Sequence, residues 1–563
     1  MLTSKYVGGP TAAVMALHNP SVDFTVVDKW ETRIRRWKSE HLPIHEPGLH
    51  HVVRIVRDGA IEVPEDAIPQ SSGVAGSPAR NLDVTIADGA ERRPNLFFST
   101  DCPRMIAEAN LIMLAVNTPT KSSGLGAGHA TDLSALESAV REIAEHAKPG
   151  AILVEKSTVP CGTAQLIRRL LKSTRPGVHF EILSNPEFLS EGTAIKNLQL
   201  PDRVLIGSDD TASGHVAAAA LADLYASWVP RDKILGANTW SSELAKLVAN
   251  AMLAQRISSI NSIAALCEKT GANVSELAKA VGTDARIGPK FLNAGLGFGG
   301  SCFRKDISSL VYISNSLGLP EVGAYWQQVL TMNEFQRQRF ARKVIERLNN
   351  TLNGKKICIL GFAYKPNTGD TRESLAVDII DILLEEQPAE LAIYDPCCSA
   401  DGIRKEIQHF AHHNRVKAYT DPYAAADNAA AVLVITEWAM FRNTAPPTPA
   451  AKPPPTQILS HQPIIPSTSP TIAVCGKLYV PAREPPCAPD CPECAHAAAA
   501  TLAAPIPNSE TRLDWRKIAH RMAPPKYVLD GRGVLDLPKL EAEVGVVAEA
   551  LGRGGARAPG DCY

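Results

Sequence analysis

Residues Leu111–Lys121 read LIMLAVNTPTK, and Ile152–Pro160 read ILVEKSTVP. Each is a short apolar run that stops at small polar residues and a proline. A run of that length between turn formers is a strand buried on both faces, as in a parallel sheet. Phe24–Val27, Ile182–Ser184 and Val204–Ile206 repeat the pattern, with helical periods between them. The repetition predicts a mostly parallel sheet covered by helices. Strand patterns stop from about Trp228 to Asn350, where Ser241–Lys269 and Glu321–Asn349 predict long helices. Alternation returns at Lys356 with KICILGFAYKPNTGDTRES.

The expected fold class is therefore α/β, with two Rossmann-like parallel-sheet domains joined by a central helical region with a long helix. The boundaries drawn are 1–225, 226–350 and 351–563. A chain of 563 residues with 58 basic and 59 acidic side chains has a formal net charge of −1, which disfavours nucleic-acid binding. No apolar run approaches the roughly 18–20 residues that span a bilayer. Ala12–Leu17 is too short for a signal-peptide core. A cytoplasmic protein with no membrane partner is expected, its twelve cysteines mostly reduced.

Two stretches interrupt the pattern. One runs from about Asp58 to Pro94 and carries the turn formers IPQSSGVAGSP. The other, Thr444–Glu510, holds 16 of the 42 prolines, seven charged residues and a single aromatic, Tyr479. That composition predicts a disordered insertion and resembles translated non-coding sequence more than a linker. Within it Cys487, Cys491 and Cys494, next to His496, look like part of a zinc site. The segment supplies no second ordered ligand pair, so no metal is expected.

Several candidate residues can be read from their chemistry. Gly8 in YVGGP matches the last glycine of a G-x-G-x-x-G turn, whose first two places hold Thr3 and Lys5. Asp28 closes the Phe24–Val27 strand, where a carboxylate favours NAD over NADP. The loops after Leu111–Val116 and Ile152–Glu155 fall where open α/β sheets bind ligands and read as two rims of one crevice. Gly295–Asp306 (GLGFGGSCFRKD) places four glycines ahead of Cys302 at a helix start. A thiolate is favoured there, and Asp306 follows one turn later. Lys246 and Asn250 share one face of an apolar helix predicted to be buried, and a buried lysine is either paired or used. NPEFLSE delivers Glu187 and Glu191 to a strand end as possible general bases. His412 and His413 read as surface residues. Arg337, Arg339 and Arg342 read as facing solvent or a partner subunit.

VNTPTK, EKSTVP, NPEFLSEGTAIK, PDRVLIG, TWSSELAKLVANA, GFGGSCF and DTRES, in this order, closely resemble the UDP-glucose 6-dehydrogenases of the UDP-glucose/GDP-mannose dehydrogenase family. The likeness covers nearly all the chain except the two insertions, a first strand and the last dozen residues. It implies oxidation of UDP-glucose to UDP-glucuronate by two NAD⁺ with water consumed. Cys302 would form the thiohemiacetal and thioester. Lys246 and Asp306 would handle protons and an ordered water, with Thr158 and Asn250 holding that water and the oxyanion. Glu187 would be an acid/base.

The resemblance also implies binding roles. The sugar nucleotide would meet Glu187, Phe188, Leu189, Glu191, Lys246, Asn250, Asn293, Gly295, Phe298, Gly299, Tyr364, Lys365 and Arg532. Arg286 would reach it from a neighbouring subunit of a homo-oligomer. NAD would meet Gly8, Asp28, Arg33, Val116, Asn117, Thr118, Pro119, Thr120, Ser157, Thr158, Val159, Glu191, Cys302, Phe303, Lys305 and Arg372. Lys156–Gly162 resembles the family's mobile switch loop, with Cys161 and Gly162 departing from its pattern. The lacking first strand and glycines lead to the expectation of a start further upstream. The rival expectations are a catalytically impaired UDP-sugar-binding subunit and a dehydrogenase of UDP-N-acetylmannosamine or GDP-mannose.

Overall fold

The computed structural model describes residues 7–63, 90–444, 472–474, 477–482, 484, 487, 491, 492, 494 and 512–553. Thr3 and Lys5, the end residues and His496 lie outside them. The described residues form two compact bodies. The first comprises residues up to Pro119, Thr131–Lys246 and those between 453 and 503; the second takes the remainder.

In the first body, Leu111–Leu114, Ile152–Glu155 and Glu181–Ser184 pair in parallel. Val204–Ser208 joins them antiparallel and pairs in parallel with Ile234–Asn238. Phe24–Val27 pairs in parallel with Leu96–Ser99 as a separate two-stranded piece. No strand among the described residues lies between the two pieces. Helix Gly8–His18 is apolar on every side and is buried from Gly8 to Leu17, the fate expected of such a helix. A Cβ at Gly9 would lie 2.1 Å from the Trp37 ring, so glycine alone lets that ring pack. Trp37 in turn stacks on Phe98 with centroids 5.5 Å apart. Asn95 Nδ2 donates to the carbonyls of Ala16, Asn19 and Val22, each at 3.0 Å, and satisfies groups at this helix's C-terminal end.

The two stretches that interrupt the sequence pattern meet in this body. Ile472–Val474, Lys477–Pro481, Ala60–Val63 and Ala90–Arg92 form a four-stranded antiparallel sheet. The expectation of disorder across Thr444–Glu510 therefore fails at these strands. Averaging over the proline-rich segment hid the short run IAVCGKLYV, rich in β-formers. Val474 and Tyr479 are buried in the core that contains Trp37, the behaviour of a folded element.

The second body holds six parallel strands in the order Val416–Tyr419, Glu390–Tyr394, Lys356–Leu360, Ala429–Val434, Tyr527–Asp530, Val547–Ala550. Counted along the chain, that is 3-2-1-4-5-6, the doubly wound order that places ligands where the direction reverses. Gly361, Ile435 and Gly531 immediately follow the strands around that point.

Two long helices, Thr239–Thr270 (32 residues) and Pro320–Arg347 (28 residues), fall close to the predicted spans. The first is not wholly buried: Met252 and Leu266 are 53% and 59% exposed in the single chain. Arg337 corrects the solvent-facing reading. It is buried, with Nε 2.8 Å from Asp378, because the ion pair offsets desolvation. Arg339 likewise pairs with Glu268 at 2.7 Å, whereas Arg342 is exposed. No helix among the described residues is long and apolar enough to cross a membrane.

Candidate active site

The first body gathers several of the expected cofactor-binding residues at strand ends. Asp28 is buried, receives the Trp30 N–H at 3.0 Å and pairs with Arg33 at 2.5 Å. The two predicted rims are tied together. Ser157 Oγ donates to the carbonyl of Val116 at 2.7 Å, and Thr118 Oγ1 donates to that of Thr158 at 2.7 Å. Asn117, Pro119 and Val159 complete these loops; Thr120 falls in the second body. A carboxylate closing the second strand and two linked loops at neighbouring strand ends suit the ribose and dinucleotide of NAD.

Behind them lies a buried charged cluster. Lys246 is 4% exposed, with Nζ 3.3 Å from Glu187 Oε1 and 5.5 Å from the Phe188 ring centroid. Glu187 also accepts the Leu189 N–H at 2.6 Å. Burial raises the pKa of Glu187, but Lys246, the Leu189 N–H and Lys156 outweigh it and hold the carboxyl below the usual range. The Glu187 carboxyl is therefore held ionised, as an acceptor for a proton from a bound group. Lys156 is held in turn by Asn185 Oδ1 at 2.9 Å and the Tyr225 hydroxyl at 3.1 Å. Glu191 closes the same segment and is half-buried.

In the second body Cys302 caps the helix Phe303–Ser316 and is exposed. Asp306, 1% exposed, lies one turn into that helix and accepts from Asn250 Nδ2 at 2.6 Å. Lys305 Nζ is 3.7 Å from its other oxygen. Cys302 and Asp306 thus share the first turn of this helix, and Asn250 meets Asp306 there. Cys302 stands at the positive end of this helix's dipole.

The glycine loop is held by residues that sequence reasoning missed. Asn333 accepts the Phe298 N–H at 2.9 Å and donates back to its carbonyl at 2.9 Å. Gln336 donates to the Gly295 carbonyl at 2.6 Å, and Asn261 accepts the Gly295 N–H at 2.9 Å. Amides at i and i+3 on an otherwise core-facing helix surface were the available signal. Gly297 adopts φ +111°, and a Cβ there would lie 2.1 Å from Asn333 Oδ1. Arg532 reaches the same loop, with Nη1 3.4 Å from the Gly297 carbonyl, and pairs with Glu437 at 3.2 Å. Tyr364 packs against Gly300, and Lys365 sits 5.4 Å from the Tyr364 ring centroid. Phe303 meets Phe298 edge-on at 5.6 Å.

Two further expected residues make contacts of their own. Arg372 forms a fork with Asp370, at 2.9 Å and 2.6 Å. Arg286 is 89% exposed at its side chain and pairs with Asp284 at 2.6 Å. Asn293 is exposed.

Models of the UDP-glucose/GDP-mannose dehydrogenase family match three regions. They are its NAD binding domain (residues 2–72 and 80–229), its central domain (240–335) and its UDP binding domain (358–458). The UDP-glucose 6-dehydrogenase of Drosophila melanogaster is 50% identical over 444 residues, covering 77% of this chain and 86% of the fly protein. UDP-glucose 6-dehydrogenase 1 of Arabidopsis thaliana is 42% identical over 564 residues, covering 97% and 95%. The solved structure of a UDP-glucose dehydrogenase from Pyrobaculum islandicum aligns with TM-score 0.64 at 31% identity, over 78% of this chain and 89% of that one. The chain belongs to the UDP-glucose/GDP-mannose dehydrogenase family.

Proposed function

We propose that this chain oxidises UDP-glucose to UDP-glucuronate through a covalent adduct on Cys302. The observation that carries the reading is Cys302 at the start of helix Phe303–Ser316, with Asp306 buried one turn later and bound to Asn250. A thiolate at a carbonyl centre is the chemistry this arrangement serves. NAD⁺, when bound, supplies the acceptor for each hydride.

In the first oxidation the Lys246–Glu187 pair and Asp306 handle the alcohol proton and a water, while Thr158 and Asn250 orient that water. The Cys302 sulfur then adds to the aldehyde carbon, giving a thiohemiacetal whose oxygen Lys246 and Asn250 stabilise. Loss of the second hydride leaves a thioester, and water replaces sulfur at the acyl carbon with Glu187 as the base. Holding the aldehyde as a thioadduct retains it while the nicotinamide is exchanged.

Asp28, Arg33, Val116–Pro119 and Ser157–Val159 hold the dinucleotide in this reading, joined by Gly8, Thr120, Glu191, Phe303, Lys305 and Arg372. Arg532, Tyr364, Lys365 and the 295–299 loop hold the UDP-sugar. Arg286, exposed in the single chain, serves a neighbouring copy in a homo-oligomer.

NADH yield from limiting UDP-glucose with excess NAD⁺ tests the proposal. Two NADH per sugar is the expected result, and one or none would overturn the double oxidation. A second reading, a UDP-sugar-binding subunit with an impaired cofactor site, draws on the separation of Phe24–Val27 from Leu111–Leu114. It requires UDP-glucose binding without NADH formation. A panel of UDP-N-acetylmannosamine and GDP-mannose tests the sugar, and only UDP-glucose should turn over at low concentration.

A further inference from the structure

One cluster of ligating side chains lies outside the chemistry described so far. His41, Cys487, Cys491 and Cys494 offer one imidazole nitrogen and three sulfurs, all within 4.8 Å of one another. His41 Nε2 stands 3.1 Å from Cys494 Sγ. With zinc bonds of about 2.3 Å to sulfur and about 2.0 Å to nitrogen, neighbouring ligand atoms in a tetrahedral site are about 3.5–3.8 Å apart. Shifts of about 1 Å or less reach that geometry, the wider pairs closing and His41 and Cys494 parting slightly.

We propose that His41, Cys487, Cys491 and Cys494 form a structural Zn²⁺ site that fastens the strand Lys477–Pro481, and the cysteines after it, to the first body. The sequence-based expectation of no metal rested on the lack of a second ordered ligand pair beside these cysteines and His496. His41, 453 residues away from Cys494, supplies a fourth ligand. Three sulfurs and an imidazole suit Zn²⁺ over the oxygen-seeking Mg²⁺ and Ca²⁺. Four protein ligands close the coordination sphere, the mark of a structural site. Binding releases three thiol protons, so that three thiolates and a neutral imidazole surround the dication with net charge −1.

The frame around the cluster is built independently of any ion. Arg57 donates to the carbonyls of Trp37 at 3.0 Å and Ser39 at 2.8 Å, and also to Glu484 at 2.7 Å. A single guanidinium thereby links the turn before His41 to the segment before Cys487. Arg36 fixes the next carbonyls, His41 at 3.1 Å and Leu42 at 2.9 Å. Ala482 N–H bonds to Gly59 O at 2.9 Å and continues the strand pairing with Ala60–Val63. Such outer contacts orient ligands before the metal arrives.

Glu40 brings a carboxylate into contact with the cluster. Its Oε1 lies 3.7 Å from Cys487 Sγ, 3.8 Å from Cys494 Sγ and 3.3 Å from His41 Nε2. As an acceptor it suits protonated thiols. Once those protons leave, it meets thiolates and turns to solvent, where half of its side chain already lies.

The test uses the full chain expressed with zinc in the medium. Elemental analysis should find one zinc per chain, and replacement by Co²⁺ should give the visible bands of tetrahedral cobalt with thiolate-to-metal charge transfer. Competition with a chromophoric chelator should show Cys491→Ser weakening zinc by roughly a hundredfold or more and His41→Ala by at least about tenfold. His41→Cys, which restores a fourth donor, should keep the tetrahedral cobalt spectrum, and Glu40→Gln should keep wild-type stoichiometry. Circular dichroism separates metal loss from failure to fold. Zinc-free protein, a disulfide between two of these cysteines, or wild-type affinity in His41→Ala would each overturn the proposal.

Discussion

The two sheets differ at their centres. In the second body Lys356–Leu360 pairs on both sides, with Glu390–Tyr394 and Ala429–Val434, and Ile357–Leu360 are entirely buried. In the first, Phe24–Val27 and Leu111–Leu114 each pair with one neighbour among the described residues. A continuous doubly wound sheet fixes the loops at its switch point through its own hydrogen bonds. The divided sheet relies on side chains instead. Ser157 to Val116 and Thr118 to Thr158 join one pair of loops, and Asn95 ties the Gly8–His18 helix. Cys302, Asp306 and Arg532 therefore belong to the body with the complete sheet, and Asp28, Glu187, Lys246 and the loops at 116–119 and 157–159 to the one held by a few polar contacts.

The largest expected effect is at the thiol. Cys302→Ala should cut two-NADH turnover by on the order of a thousandfold or more, because no other group can hold the aldehyde covalently. Rapid-quench analysis should show at most one NADH per UDP-glucose. Normal stoichiometry from this variant would remove the second body from the chemistry. Gly297→Ala comes next. Positive φ and the clash with Asn333, whose amide is already engaged by Phe298, should cost about 3 kcal/mol. Calorimetry should show the loss in the transition of the second body alone. An unchanged transition would show that the loop is looser than its hydrogen bonds imply.

A third prediction addresses the divided sheet directly. Replacing residues 1–5 with a five-residue apolar strand followed by a G-x-G turn leading into Gly8 would offer Phe24–Val27 and Leu111–Leu114, which share no neighbour among the described residues, a common partner. NAD⁺ should then bind about tenfold more tightly, roughly 1.4 kcal/mol, by isothermal calorimetry. UDP-glucose affinity should stay constant. Equal NAD⁺ affinities would mean that the side-chain ties already supply what a central strand would.

What could be read in advance follows the range of the interactions. Cys302, Asp306 and the glycine loop were legible because their relation is one helical turn and one local turn. Alternating runs gave the α/β class, but strand order depends on pairings such as Lys356–Leu360 with Ala429–Val434 that leave no local pattern. Asn333 and Gln336 were missed because their partners lie 35 and 41 residues away. His41 gave no signal beside three cysteines far along the chain. Lys477–Pro481 was hidden twice: by proline-rich flanks, and by a partner strand more than 400 residues earlier.

The smallest effect concerns carboxylates at strand ends, where the bodies differ again. Asp530 in the second body accepts N–H groups from Arg532, Gly533 and Leu535, at 2.8, 2.9 and 2.7 Å. No backbone N–H among the described residues reaches Glu155, which closes Ile152–Glu155 in the first body. Burial, then the neighbouring Glu243, push the Glu155 carboxyl well above its usual range, and Arg168 offsets this only in part. Glu243 is itself raised by burial, although it caps the helix Thr163–Thr174 through the N–H groups of Gly162 and Ala164. The folded state therefore keeps a proton on Glu155 that the unfolded chain releases at the ordinary glutamate pKa. Its contribution to stability is full below that value and declines as pH rises towards the folded value, because the folded state binds more protons than the unfolded one. Glu155→Gln keeps the neutral shape and removes the decline. The urea midpoint of the first body should match wild type near pH 4 and exceed it by a margin that widens towards pH 8. A margin independent of pH would show that the fold leaves the Glu155 carboxyl at its unfolded-chain pKa.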